Sequence, residues 1–289
     1  MTSRNTIRQT SFNIPSNRKL IKISGAMDAV IQYMELSSVY FIDDFKKENG
    51  IGKIDGKYLT EFRKKLTDLS AAYNIYLKDL PFDRFDDMRI KSYLVVVYGY
   101  FDEFADSFKV DVRKLINQKY IEIDKDKKGH GLSKLGKILC GLKNVGVDIK
   151  ITPVRTKIFD YYRLIRNSLA HISQKDEDDI NLLLSKIDMK EVAELYPKRP
   201  KIHKKDSLNF DDYIIAAANA KAVADELTRG LEKHIDWYGF IQEHLSDEFP
   251  KFKQYIENKE RALKAITLKI RDTYGIDNLD NDIIWKIAH

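Results

Sequence analysis

Five side chains with the chemistry to act on a phosphodiester lie within twelve residues of this 289-residue chain: Asp160, Arg163, Arg166, Asn167 and His171. A histidine can transfer protons near neutral pH, and an arginine can stabilise the charge that develops on a phosphorane. Neither task needs a metal ion. If the 2′-hydroxyl of RNA is the nucleophile, binding oriented by these groups gives a cyclic phosphate and a free 5′-hydroxyl, so the expected substrate is RNA.

The segment around these residues predicts an amphipathic helix over about 153–173. Thr152-Pro153 supplies an N-cap and a proline in the first turn. The polar groups lie outside the apolar stripe, with Asp160, Asn167 and His171 along one line of the helix surface. At about 100° per residue, a stripe of about 80° contains the apolar residues Val154, Ile158, Tyr161, Ile165, Leu169 and Ile172.

The run Tyr161-Tyr162-Arg163-Leu164-Ile165-Arg166-Asn167-Ser168-Leu169-Ala170-His171 resembles the R-x4-6-H motif of HEPN-domain proteins. It has the common form of the motif, in which a polar residue, often Asn, follows the Arg. Outside this run, only the helical pattern from 27 to 243 is compatible with the family's bundle. Ser173 stands where some members have a tyrosine two residues after the histidine, which leaves open any regulation through that tyrosine.

The resemblance implies a metal-independent endoribonuclease of the kind found in toxin, abortive-infection and other antiviral systems. In that family the active site forms where two such motifs meet at a dimer interface. The implied partners are therefore RNA, a second copy of the chain, and an antitoxin or regulatory protein. The resemblance implies that Arg166 and His171 are catalytic and that Asn167 supports them.

Other interpretations of the motif stay open. The chain's 14 arginines and 6 histidines give about 0.3 accidental R-x4-H matches, and a second match occurs at Arg229 and His234, with Gly230 as its second residue. We interpret that match as an accident, although a second motif in the same bundle would remove the need for a dimer. The 163–171 face can instead be an exposed surface whose arginines pair with acids. It can also belong to a HEPN-like module that has lost catalysis and binds RNA or a protein.

Basic residues are clustered, although the net charge is only +6. Residues 1–26 contain five basic residues and no acid, and the segment 198–205 contains five basic residues and a histidine. Such clusters suit a phosphate-rich partner, because each phosphate contact releases counterions. Solvated loops are an equally simple interpretation of the charge. The predicted RNA contacts are Arg163, Lys127, Lys128, Lys198, Arg199, Lys201, Lys204 and Lys205.

The low content of 13 Gly and 6 Pro argues against a turn-rich sandwich or barrel and favours helices. We predict an all-α fold, a HEPN-like helical bundle with N- and C-terminal helical extensions. Its parts are a basic arm over 1–26, flexible when alone, the bundle over 27–243, and a C-terminal helical extension over 244–289. Helices are predicted over about 27–47, 57–79, 86–119, 132–144, 153–173, 175–197, 209–240 and 247–272.

Several classes of protein are excluded by composition. The single cysteine, Cys140, rules out an internal disulfide framework and a cysteine-cluster zinc site. The most apolar window, 93–101, is far shorter than the ~20 residues of a membrane helix. No phosphate-binding loop or calcium-loop spacing occurs. The sequence predicts a cytoplasmic protein with no cofactor, no metal and no membrane partner.

Overall fold

The protein is all-α, as the sequence predicts. In a computed structural model, the described residues form twelve α-helices, one short 3-10 helix (Lys205–Ser207) and no strand. The structure describes residues 12–75, 77, 85–116, 124, 132–168 and 174–288. The helices are α1 (Pro15–Glu48), α2 (Gly56–Ala72), α3 (Phe85–Ile116), α4 (Lys134–Asn144), α5 (Pro153–Asn167), α6 (Gln174–Ser185), α7 (Met189–Leu195), α8 (Phe210–Glu232), α9 (Trp237–His244), α10 (Pro250–Gln254), α11 (Lys259–Tyr274) and α12 (Asn281–Ala288).

The chain divides into two compact units. The first unit contains the described residues of Met1–Ile23, Tyr98–Asp160 and Ala218–His289, and the second unit contains those of Ser24–Val97 and Tyr161–Ala217. The predicted division at 26/27 and 243/244 differs from these boundaries and stays a prediction.

The core of the first unit is built on aromatic side chains of α3. Phe101, Phe104 and Phe108 are fully buried or nearly so. They lie at spacings of three and four residues and so share one face of the helix. The ring centroid of Phe101 is 4.5 Å from that of Phe159 on α5. This face of α3 is therefore fully desolvated.

Polar contacts join the helices of the second unit. The Tyr213 hydroxyl on α8 donates a hydrogen bond to the Asp28 carboxylate on α1 at 2.7 Å. The Arg89 guanidinium on α3 lies 3.3 Å from the Glu35 carboxylate on α1. Both acids are buried, so these partners offset the cost of desolvating their charge. One stripe of α1 is thereby fixed against α3 and α8.

Three predicted helices are each divided in two. The helix predicted over 175–197 gives α6 and α7, and Asp188 caps the start of α7. The helix predicted over 209–240 ends at Glu232, and α9 starts after the N-cap Asp236, whose carboxylate accepts hydrogen bonds from two backbone N–H groups. The helix predicted over 247–272 is likewise divided, and Asn258 caps the start of α11. The end predicted for α1, at Asn49-Gly50, is confirmed.

The flexible arm predicted over residues 1–26 is wrong for the described residues 12–26. Helix α1 begins at Pro15, and the side chains of Ile14 and Leu20 are buried. The backbone N–H of Ser16 donates to the Asp111 carboxylate at 2.9 Å. Burial of these apolar groups orders the segment despite its basic composition.

Candidate functional site

The last turn of α5 holds the first part of the predicted motif. Arg166 and Asn167 are the final two residues of the helix, and Arg166 Nη1 donates a hydrogen bond to Asn167 Oδ1 at 3.2 Å. Both side chains reach solvent, and Arg163 is half-buried one turn earlier. The structure therefore brings Arg166 and Asn167 together. His171 lies outside the described residues, so its place in the site stays a prediction.

The predicted apolar stripe of this helix is buried. Val154, Ile158, Tyr161 and Ile165 all have negligible exposed surface. Leu169 and Ile172, the other two residues of the stripe, lie outside the described residues. The alternation of buried and polar positions is the reason that the arginines of α5 are placed at the surface.

Two consecutive tyrosines hold α5 against the segment that precedes α8. The Tyr161 hydroxyl donates to the backbone carbonyl oxygen of His203 at 2.6 Å, and the Tyr162 hydroxyl donates to Asp212 Oδ1 at 2.8 Å. Burial raises the pKa of Tyr161 well above its ordinary value, and the carboxylates of Asp212 and Asp206 raise it further. Tyr161 therefore remains a hydrogen-bond donor throughout the physiological range.

Asp212 is the centre of this network. Its fully buried carboxylate also accepts hydrogen bonds from the backbone N–H groups of His203, at 3.0 Å, and Asn209, at 2.9 Å. His203 Nδ1 lies 2.9 Å from Asp212 Oδ2. Since a carboxylate only accepts, Nδ1 carries a proton, and in the neutral form of the imidazole Nε2 is the basic nitrogen. Asp212 also lies in the first turn of α8, where the helix dipole favours a negative charge.

Tyr162, His203 and Asp212 are not among the site residues that the sequence predicts. His203 lies within the basic segment 198–205, and Asp212 lies nine residues later. The available signal was an acid in the first turn of a predicted helix beside a histidine-containing loop. That signal is too common to choose one pair of residues before the fold is known.

The basic segment 198–205 divides into paired and exposed cations. Arg199 Nε lies 2.9 Å from Asp211, and Lys205 Nζ lies 2.8 Å from Glu177. Lys198, Lys201 and Lys204 are exposed. The hydrogen bond from Tyr161 ties this segment to α5. The exposed lysines therefore lie on a segment that contacts α5, the helix that carries Arg163. Lys127 and Lys128, the other predicted RNA contacts, lie outside the described residues.

The second R-x4-H match has a different environment. The Arg229 guanidinium is exposed and pairs with Asp225 one turn earlier on α8. His234 lies in the turn after α8 and is half-buried. Gly230 has a packing role, because a Cβ at this position would lie 2.5 Å from Ile149 Cγ2. The interpretation of this match as an accident stays a prediction.

A cavity of about 600 Å³ lies in the first unit beside α10 and α11. It contains none of the residues predicted from the sequence. Four cations and two acids line it: Lys251, Arg261, Lys264, Lys269, Glu248 and Asp272. Lys114 pairs with Glu248 and lowers the pKa of that carboxyl, mainly by hydrogen bonding. Because Lys114 neutralises Glu248, the four cations outweigh the remaining acid, and the lining of the cavity is basic.

Among the described residues, no three His, Cys, Asp or Glu side chains come together in a group that could hold a metal ion. Within the same part of the chain, every helix is too short or too polar to cross a membrane.

Comparison with protein-family models, with curated proteins and with solved structures found no match. The resemblance to HEPN-domain proteins therefore depends on the motif that begins on α5.

Proposed function

We propose that this protein is a metal-independent endoribonuclease in which Arg166, Asn167 and His171 act on an RNA phosphodiester. The observation that carries the proposal is the hydrogen-bonded Arg166–Asn167 pair at the solvent-facing end of α5. Arg166 can stabilise charge on the equatorial oxygens of the reacting phosphate. Asn167 orients the guanidinium, because its Oδ1 accepts a hydrogen bond from one of the guanidinium N–H groups.

In the proposed reaction, the RNA 2′-oxygen attacks the adjacent phosphorus while a histidine removes the proton of the 2′-hydroxyl. The O2′–P bond forms, the P–O5′ bond breaks, and an acid gives a proton to O5′. The products are a 2′,3′-cyclic phosphate and a 5′-hydroxyl. One histidine cannot be base and acid in the same step. We propose that a second copy, paired near the end of α5, supplies the second His171.

The second unit also contains a histidine that is already oriented for proton transfer. His203 donates from Nδ1 to the buried Asp212, which leaves Nε2 as the basic nitrogen. It lies between lysines that suit phosphate binding, and Tyr161 ties it to α5. His203 is therefore the alternative to a second His171, and His203→Ala is the variant that distinguishes the two arrangements.

The decisive experiment is incubation of the purified chain with total RNA in EDTA, followed by analysis of the new ends. We expect cleavage to persist, with cyclic phosphate and 5′-hydroxyl ends. Complete loss of cleavage in chelator, restored by a divalent ion, would refute the mechanism. Arg229→Ala is the matched control for Arg166→Ala, since both change the arginine of an R-x4-H sequence.

The second candidate is a HEPN-like module that binds RNA or a protein without cleaving. The pairing of Arg199 and Lys205 with acids favours a protein as the partner of such a module, because partly neutralised cations contribute less to the binding of RNA phosphates. A toxin or antiviral effector arrests growth when expressed without an antitoxin or regulatory protein. Growth arrest by the wild-type chain, relieved by His171→Ala, supports the nuclease, whereas equal growth with both chains supports the binding module.

A further inference from the structure

The outward face of α1 carries no charge over five turns. From residue 23 to residue 42 the only charged residues are Asp28 and Glu35, and both are buried on the opposite side, against α8 and α3. An exposed helix face in a protein with 33% charged residues is normally polar. This face is therefore unusual for a surface in contact with water.

The exposed residues of this face form a regular apolar seam. Ala26, Ala29, Tyr33, Leu36 and Tyr40 follow one another at spacings of three, four, three and four residues. Tyr33, Leu36 and Tyr40 are 73%, 68% and 71% exposed. Such spacing is that of the contact line between two paired helices. Four more exposed apolar residues flank the seam: Met27, Val30, Met34 and Val39.

The exposed area is sufficient for a stable contact. A tyrosine buries about 150–250 Å² when fully covered. The exposed apolar side chains of α1 together offer on the order of 800 Å², which is what each partner contributes to a standard protein interface. A contiguous apolar patch of this size is rare on a monomer.

We propose that this face binds the same face of a second copy, with the two α1 helices antiparallel. Charge favours this occupant and orientation. Lys22 and Asp44 lie eleven residues before and eleven residues after Tyr33, whereas Asp43 already pairs with Lys46 at 3.7 Å. Antiparallel pairing brings each Lys22 toward the partner's Asp44, whereas parallel pairing brings like charges together.

Side-chain size favours the same orientation. The seam begins with two alanines and ends with Tyr33, Leu36 and Tyr40. In an antiparallel pair, the alanines of one helix meet the large side chains of the other. The distance between the two helix axes is then similar along the whole contact. A two-fold axis near Tyr33 relates the two copies.

This contact is separate from the pairing proposed at the end of α5 and does not depend on nuclease activity. The seam lies on the side of α1 that faces away from Asp28 and Glu35, the residues that contact α8 and α3. Helix α5 contacts α8 through Tyr162. A chain that fails to cleave RNA can therefore still confirm the α1 contact, and an active nuclease can refute it.

The first test is the mass of the full chain in solution, measured by sedimentation and light scattering. Leu36→Lys is expected to halve the mass of the wild-type assembly, because it places a charge in the seam. The matched control is Leu182→Lys, which changes an exposed leucine on α6 and should keep the wild-type mass. A monomeric wild-type chain, or an unchanged mass for Leu36→Lys, overturns the proposal.

Orientation is tested by cross-linking in a Cys140→Ser background, where any introduced cysteine is unique. Tyr33→Cys should cross-link to its counterpart with a short bifunctional maleimide, because it lies near the axis. Tyr40→Cys should not, since seven residues of helix on each side of the axis separate the pair by about 21 Å. Efficient cross-linking through Tyr40→Cys would mean a parallel pair, and absence of cross-linking at both positions would mean another occupant, such as residues 1–11 of the same chain.

Discussion

At the scale of single residues, the arginine of each R-x4-H sequence contacts a residue that is close to it in the sequence. Arg166 contacts the amide oxygen of Asn167, and Arg229 pairs with the Asp225 carboxylate. The local sequence could predict these two contacts, because Asn follows Arg166 and an acid lies one turn before Arg229. It could not predict the network around Asp212, which joins residues fifty positions apart.

Replacing Arg166 with Ala should lower the rate of RNA cleavage by about 10²–10³, the usual cost of removing one group that stabilises developing negative charge. Arg229→Ala should leave the rate unchanged. The measurement is single-turnover cleavage in EDTA, with helical content checked by circular dichroism. Equal losses in the two variants would show that the rate reports on stability rather than on the α5 site.

Tyr162→Phe should destabilise the protein by about 1.5–3 kcal/mol, because it removes a donor to a buried charged carboxylate. Tyr161→Phe removes a donor to a neutral carbonyl and should cost about 0.5–1.5 kcal/mol. Urea unfolding of both variants gives the comparison. A larger loss of stability for Tyr161→Phe than for Tyr162→Phe would contradict the conclusion that Asp212 is the centre of this network.

The raised pKa of Tyr161 predicts a loss of stability in alkali. In the unfolded chain a tyrosine ionises near its ordinary pKa of 10.0, but the folded chain keeps the proton. The folded state then binds more protons, so its free energy of unfolding is maintained below pH 10 and falls as the pH rises above 10. Unfolding measured from pH 8 upward should show this fall, and Tyr161→Phe should weaken its slope. If the slope is unchanged in the variant, other tyrosines cause the loss of stability in alkali.

At the scale of helices, apolar periodicity predicted where helices occur better than where they stop. The ends of α1 and α4 agree with the prediction because Gly50 and Gly146 take the left-handed conformation that follows a helix. The starts of α9 and α11 were missed, because Asp236 and Asn258 lie inside periodic segments, where a capping residue resembles any other polar residue. The start of α1 differs from the prediction because burial of Ile14 and Leu20 orders a segment whose basic composition is typical of an exposed arm.

Asp236→Ala should destabilise the first unit by about 1 kcal/mol, because the Asp236 carboxylate caps two backbone N–H groups at the start of α9. The exposed Asp277, in the loop after α11, provides the control Asp277→Ala. Thermal or urea unfolding distinguishes the two variants. If both lose the same stability, charge rather than capping is responsible.

At the scale of the whole molecule, the all-α class followed from composition, but the division into two units did not. Each unit is assembled from segments far apart in the sequence, as Tyr161–Ala217 joins Ser24–Val97. Local periodicity contains no information on such pairing. The predicted flexible arm is wrong for residues 12–26, and for residues 1–11 it stays a prediction.

Deleting residues 2–11 should weaken RNA binding and reduce its dependence on salt. The deletion removes Arg4 and Arg8, and each lost phosphate contact lowers the slope of log affinity against log salt by about 0.7 on single-stranded RNA. Titrations at several salt concentrations give the slope. The same slope before and after the deletion would show that these arginines do not contact RNA.

The close approach of Ile149 to Gly230 has an evolutionary consequence. Any side chain at position 230 would collide with Ile149, so substitution there is removed by selection for folding alone. The Arg229 guanidinium is exposed and can drift. Among diverged descendants of this chain, glycine should therefore persist at position 230 after Arg229 has been lost, whereas Arg166 and His171, if they act together, should be kept or lost together.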